Sequence, residues 1–507
     1  MATTLTPTQP ADADNPVNLE IPALIFDNRT DFDALHFDTI DQHNQAFHVL
    51  VARTGYSVGA CNTLGEAQLF ALDEPAQLNV EDLYYEEDLA CSVREESDLS
   101  PYKPFCDVIV NGQAHVPQGK TRRDIKIRLH VQRPATRAAL PAKPQPLNPF
   151  QKVSHTESVQ WQKQLERAES TFVVGEVLID KTITVTGERE MRKYIWPIPW
   201  LYALLKWFTF GLIRLNPWRL TRAKEFASMP IRYEYAQGGQ CRIEPDTAPA
   251  SRVARKNRLT PEQIEQHPDK DAPPIAHDAC ETNPVGRGFV RQWYLKATRK
   301  KKLPAPRIEY TSAPVTASQF WRAAHGRALP QPAGLGIIGR AYLPRRLLVG
   351  QIEEKKVWGD NEFPRLPKAF SHQYWNSAPV DQQCSHLTGQ ECITLINLCA
   401  SIAPFARADA LGNTVVRFNL PLQSLYVLAA THNSKVSVHS MVIDTVLIDL
   451  DAAQVHLVWR ICLPADGTLL EAQLWHADQE AQIQRIAMLK IPAVEEDIAQ
   501  RREPATI

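Results

Sequence analysis

Proline outnumbers glycine nearly two to one in this chain: 38 against 21 in 507 residues, where average usage would give about 25 and about 35. Proline fixes its own φ and has no N–H to donate, so it is excluded from helix interiors and most central strand positions. Long uninterrupted elements are therefore not expected. Scarce glycine disfavours a phosphate-cradling loop, and neither GxxxxGK[ST] nor GxGxxG occurs. With 44% hydrophobic and 22% charged residues, the chain can bury a core and is too apolar for a disordered class. At about 150 residues per domain its length suggests about two to four domains, or one large domain with insertions.

Charge and cysteine usage narrow the field further. Lys+Arg total 56 against 57 Asp+Glu, a formal charge of −1, so no global field gathers nucleic acid or an anionic membrane. The first 18 residues read as a polar, proline-punctuated tail without the basic start and apolar run of a signal peptide. Nine cysteines occur without a CxxC pair. Cys384, Cys392 and Cys399, eight and seven residues apart, match no zinc spacing. Reduced thiols in a cytosolic protein are the expected state, with no metal and no cofactor.

Strand signals dominate the rest. Phe47–Val51 is an apolar run, and Asp124–Val131 and Asp180–Thr186 alternate apolar and polar residues with period two, as half-buried antiparallel strands do. Between these two lie a proline-rich stretch, Pro134–Pro149, and a short polar helix over Glu157–Glu169. Further strands are expected over Thr414–Phe418, Thr445–Leu450 and Val455–Ile461. Thr260-Pro261-Glu262-Gln263 is a capping box that opens a short helix. The stretch Leu469–Leu489, rich in Ala, Gln, Glu and Leu, is expected to contain another. The fold class is β-rich (α+β): an antiparallel β-sandwich or barrel-like scaffold with long loops and a few inserted helices. Its parts are a tail (1–18), a β-rich N-terminal part (19–325) with insertions at 133–170 and 190–225, a C-terminal β part ending in a helix (326–495), and a second tail (496–507).

The acidic stretch from Leu78 to Leu99 is expected to be a solvated surface segment, because like charges repel and stay hydrated. The basic run Lys296, Arg299, Lys300, Lys301, Lys302 reads as a solvated loop. Tyr194–Leu215 is different. It carries Trp196, Trp200, Trp207, Phe208 and Phe210, with Trp218 just beyond. Pro197, Pro199 and Lys206 leave it too short and interrupted for a membrane span. A helix apolar on every side must be covered by something. Core packing, a docking surface for another protein and a membrane-surface element all remain open.

Chemistry-bearing patterns are sparse. There is no HExxH and no GxSxG. Cys384 and His386 would share a strand face, which keeps a hydrolase-like thiolate–imidazole pair as an alternative, yet nothing marks an orienting carboxylate. Asn283-Pro284-Val285-Gly286-Arg287-Gly288-Phe289 places one arginine between glycines, where its guanidinium could fork onto a carboxylate such as Glu234. Tyr374–Gln383, with Asn376, Pro379, Asp381 and Gln382, combines aromatics, a proline and side-chain amides. Structured loops locking a β scaffold are the simplest reading of such clusters.

Taken in order, the clusters are familiar. The acidic segment, Ser97–Pro104, Asp107–Ala114, the strand pair around Leu129 and Val185, Met229–Glu234, Asn283–Phe289, Arg307–Glu309, Pro332–Gly336, Asn376–Gln382, Asn397-Leu398, Asp444-Thr445 and Trp459-Arg460 together resemble the domain-of-unknown-function 2169 family. That resemblance implies a cytoplasmic, non-enzymatic adaptor or chaperone of bacterial type VI secretion, binding an effector (often with a PAAR-like tip) and helping to load it onto the VgrG spike. A structural component of the secretion apparatus is the other reading. Three features depart from the family pattern: Tyr235-Ala236-Gln237 before the paired glycines, the expansion at Arg133–Ser170, and the Trp-rich segment.

Overall fold

The computed structural model describes residues 23–43, 45–137, 156, 159–164, 172–173, 175–194, 204, 207–208, 216–267, 269, 271–327, 329–350, 366–433 and 435–477. Its framework is three β-sheets, mostly antiparallel. The largest has seven strands. Asp33–Ile40, Ala46–Cys61, Gln454–Pro464, Val442–Asp449, Cys106–Asn111 and Gln383–Cys384 lie side by side, with Ala67–Ala71 added against Ala46–Cys61. A six-stranded sheet runs Ile308–Tyr310, Val177–Thr186, Asp124–Gln132, Cys392–Ile396, Thr414–Asn419, Arg407–Ala408. A four-stranded sheet joins Ile25–Asn28, Leu469–Ala477, Ser424–Thr431 and Val436–Ser440. Both large sheets draw strands from each side of residue 325, so the two parts expected there share one core.

Alternation explains the six-stranded sheet. Ile125, Ile127, Leu129 and Val131 are buried, and they stand opposite the equally buried Val185, Ile183, Lys181 and Ile179. The two strands pair antiparallel across the expansion at 133–170, as their matching periods predict. Of that expansion, residues 159–164 are helical, and most of the rest lies outside the described residues. The main core unites residues of all three sheets, among them Val108, Leu129, Phe418, Val446, Leu457 and Leu474. A separate, smaller core holds Met191, Trp218, Ile243, Phe289 and Phe320, beneath short helices at Gln292–Thr298 and Ala317–Ala324.

Two expectations need correction. Leu469–Ala477 is a strand, not the start of a helix. Its pairing with Ser424–Thr431 and Ile25–Asn28 overrides the helix propensity of Ala, Gln, Glu and Leu. Glu471 and Gln473 are buried there and hydrogen-bonded to each other, which hides the polar alternation of a half-exposed strand. The remainder of that stretch, 478–489, is outside the described residues. Second, the acidic segment is solvated only in its first half. Glu96 and Asp98 are buried, because arginines from distant strands and loops come to meet them. The capping box of Thr260 and Gln263 forms as expected, and all nine cysteines are free thiols. Among the described residues, no helix is long and apolar enough to cross a membrane.

Candidate functional site

The conspicuous polar motifs turn inward. Asp107, fully buried on the Cys106–Asn111 strand next to the edge of the seven-stranded sheet, is the hub. Its carboxylate accepts from Asn376 Nδ2 at 3.0 Å, the Ser377 N–H at 2.8 Å and the Ala378 N–H at 3.3 Å, and it pairs with Lys103 Nζ at 3.0 Å. Asn376 Nδ2 also reaches the Phe105 carbonyl. Gln382 Nε2 donates to the carbonyls of Val108 and Leu335 at 2.8 and 2.9 Å. Its other end accepts from Lys181, which also binds Asp381 at 2.6 Å. Pro379, buried, starts the tight turn that aims Asp381 and Gln382. Residues 376–382 therefore fasten their loop to two sheets.

The Asn283–Phe289 loop does the same elsewhere. Asn283, fully buried, donates from Nδ2 to the carbonyls of Tyr233 and Gln237. Gly286 packs so closely that a Cβ there would lie 2.5 Å from Asn283 Nδ2, and Gly288 has φ +94°, a conformation favouring glycine. Arg287 does not fork onto the Glu234 carboxylate. Its Nε donates to the Glu234 backbone carbonyl at 2.8 Å, and its guanidinium lies 4.4 Å from the Tyr235 ring centroid. The Glu234 carboxylate is taken by the Ser92 N–H and hydroxyl. Tyr235, one of the departures from the family pattern, has the guanidiniums of Arg287 and Arg307 over its ring, 4.4 and 5.4 Å from the centroid. Burial holds both guanidiniums below their ordinary pKa.

Beneath the acidic segment lies a charge network that sequence inspection missed. Arg53 bridges Glu95 at 2.7 Å and Asp98 at 3.1 Å, Arg345 and Arg340 converge on Glu96, and Arg460 pairs with Asp444. Burial would raise the Glu96 carboxyl, but Arg345 and Arg340 bring it below the ordinary value. For Asp98 burial prevails over Arg53 and raises it. Burial, reinforced by Arg53, pushes His456 down to about 4. Arg53, Glu96, Asp98, Lys103, Thr445 and His456 surround a cavity of about 20 Å³, room for roughly one water. The available signal was phase: Lys181 and Arg53 occupy positions where a buried face calls for an apolar residue.

Cys384 and His386 are not brought together as nucleophile and base. Cys384 is buried opposite Cys106, and His386 Nε2 meets the Lys103 carbonyl. Burial, with Cys384 alongside, pushes the Cys106 thiol well up, away from a reactive thiolate.

The Trp-rich set divides. Trp218 is core: 4% exposed and edge-on to Phe320, ring centroids 5.2 Å apart. It belongs to a strand, Trp218–Leu220, paired with Glu190–Lys193, which removes it from the docking set. Trp207 and Phe208 point outward, 73% and 65% exposed, with their rings in edge contact at 5.2 Å, and Leu204 is exposed beside them in sequence. Trp196, Trp200 and Phe210 lie outside the described residues. An apolar groove of about 240 Å³ opens elsewhere between Ile40, Phe47, Tyr102 and Leu366.

No curated protein and no solved structure matches the chain. One family model does, described as an uncharacterized protein conserved in bacteria (DUF2169), over residues 43–142 and 160–460. The matched span contains both inward-turned motif loops and well over half of the sequence. The chain belongs to the DUF2169 family.

Proposed function

We propose that this protein is a non-enzymatic adaptor of bacterial type VI secretion. In the cytoplasm it would bind a secreted effector and help to load it onto the VgrG spike or a PAAR-like tip. The observation that carries the reading is the exposed Trp207–Phe208 pair, two helical residues that belong to none of the three sheets. Exposed aromatics on a rigid scaffold are the usual anchors of a protein interface, where truncation typically costs about 2 kcal/mol or more. The polar motif loops, by contrast, are committed to holding the scaffold and leave recognition to the outward elements.

Co-expression with an effector and a spike protein encoded beside its gene tests the proposal. The expected result is a complex of chain and effector on gel filtration, and effector–spike assembly that depends on the chain. Effector and spike that assemble equally well without the chain would contradict the adaptor role. Recovery of the chain in secreted particles would favour the structural-component reading instead.

A further inference from the structure

A second kind of site lies in the first hairpin of the seven-stranded sheet. Strands Asp33–Ile40 and Ala46–Cys61 pair antiparallel, with Asp38 directly opposite His48. The hairpin is closed by Asp41, whose backbone N–H reaches the Gln45 carbonyl and whose carboxylate caps the N–H groups of His43 and Gln45. That closure fixes the register. His36, two residues before Asp38, projects from the same face of its strand, so three chemistry-bearing side chains meet. Nδ1 of His48 is 2.7 Å from Asp38 Oδ1, Nε2 of His36 is 3.0 Å from the same oxygen, and the two nitrogens are 3.3 Å apart.

Protons satisfy two edges of this triangle: both ring nitrogens can donate to the shared carboxylate oxygen, and the 3.3 Å edge between them then carries no hydrogen bond. A cation would engage all three corners, since each can offer it a lone pair. Metal bonds of about 2.0–2.2 Å set neighbouring donors about 2.9 Å apart at octahedral angles and about 3.3 Å apart at tetrahedral ones. The observed edges, 2.7, 3.0 and 3.3 Å, run from just below the octahedral spacing to the tetrahedral one. His48 is 1% exposed while Asp38 is exposed, so one ligand is anchored in the core and the open side faces solvent. The Phe26 ring packs near His36, centroids 6.4 Å apart. Among the described residues, this is the one group of three or more His, Cys, Asp or Glu side chains whose ligand atoms converge in this way.

We propose that His36, Asp38 and His48 form a binding site for a first-row divalent metal ion of the zinc type, with water completing the coordination. Two imidazoles and one carboxylate suit zinc and its neighbours better than magnesium or calcium. Three protein ligands with an open position differ from the closed four-ligand sets of purely structural zinc. His36 and Asp38 precede the matched family span, which begins at residue 43, so the site is not part of what family membership describes. The proposal does not rest on the effector-binding reading.

The full-length chain, stripped with a chelator, is titrated with Co²⁺ followed by visible absorption and with Zn²⁺ by calorimetry. One saturable equivalent is expected, with affinity at least tenfold weaker in His36→Ala and in Asp38→Ala. Both side chains reach the surface, so these variants should keep the wild-type circular dichroism, whereas His48→Ala opens the core. Absence of a saturable equivalent overturns the proposal, as does wild-type affinity in both folded variants, which would place the ion on other histidines.

Discussion

The Asn376–Gln382 loop and the Trp207–Phe208 pair were both plausible binding elements by composition, and they behave oppositely. The first spends its amides, hydroxyl and N–H groups on Asp107, Val108 and Leu335 in the interior. The second leaves two large rings in solvent. Polar motif residues in this fold act as clamps that let long proline-stiffened loops sit on a β framework without orphaning backbone groups. On the adaptor proposal, Trp207 and Phe208, the two most exposed aromatic rings among the described residues, are what the chain offers a partner.

The comparison breaks most readily at Asp107. Replacing it with alanine strands the buried Lys103 charge and frees the 376–378 loop, so a loss of about 3–5 kcal/mol is expected, measured by urea unfolding. A cost below about 1 kcal/mol would mean that the loop holds itself in place.

Acid should act on the same interior. Burial, reinforced by Arg53, takes His456 from the ordinary imidazole value of 6.5 down to about 4 in the folded chain, so between these values the unfolded chain binds the extra proton. Its contribution is complete above pH 6.5 and is lost as pH falls through about 4, amounting to about 3 kcal/mol. Urea midpoints across that range should fall in the wild type and fall less in His456→Gln. Equal slopes would remove His456 from the account. Arg53, Glu95 and Asp449 all face the ring and set its shift after burial.

Asn283→Ala offers a milder test. It leaves the carbonyls of Tyr233 and Gln237 without their partner, at a cost of about 1–3 kcal/mol. Full stability in this variant would show that the NPVGRGF loop is not clamped through its asparagine.

How much of this was legible beforehand follows from physics at particular residues. Period-two alternation placed Ile125–Val131 and Ile183–Val185 correctly, because a half-buried antiparallel strand writes its burial into the sequence. It failed at Leu469–Ala477, where both faces are covered. Ion pairs of long separation, Arg53 with Asp98 or Arg345 with Glu96, have no local signature, since only the folded topology brings them together. The Glu234–Arg287 pairing was right in neighbourhood and wrong in atom: the arginine met the backbone carbonyl. Of the candidate partner-binding residues, Trp218 was lost to the core, because an apolar run does not announce which of its members a strand will bury.

The smallest expected change in stability comes from the outward pair. Trp207→Ala combined with Phe208→Ala should alter unfolding free energy by no more than about 0.5 kcal/mol, and it provides the most direct test of the adaptor account. Calorimetric affinity for the co-encoded effector should fall by about 30-fold or more in this double variant, the equivalent of about 2 kcal/mol, while Asn283→Ala, still folded, binds nearly as wild type. A double variant that binds the effector with wild-type affinity would contradict the claim that recognition resides in the outward aromatics.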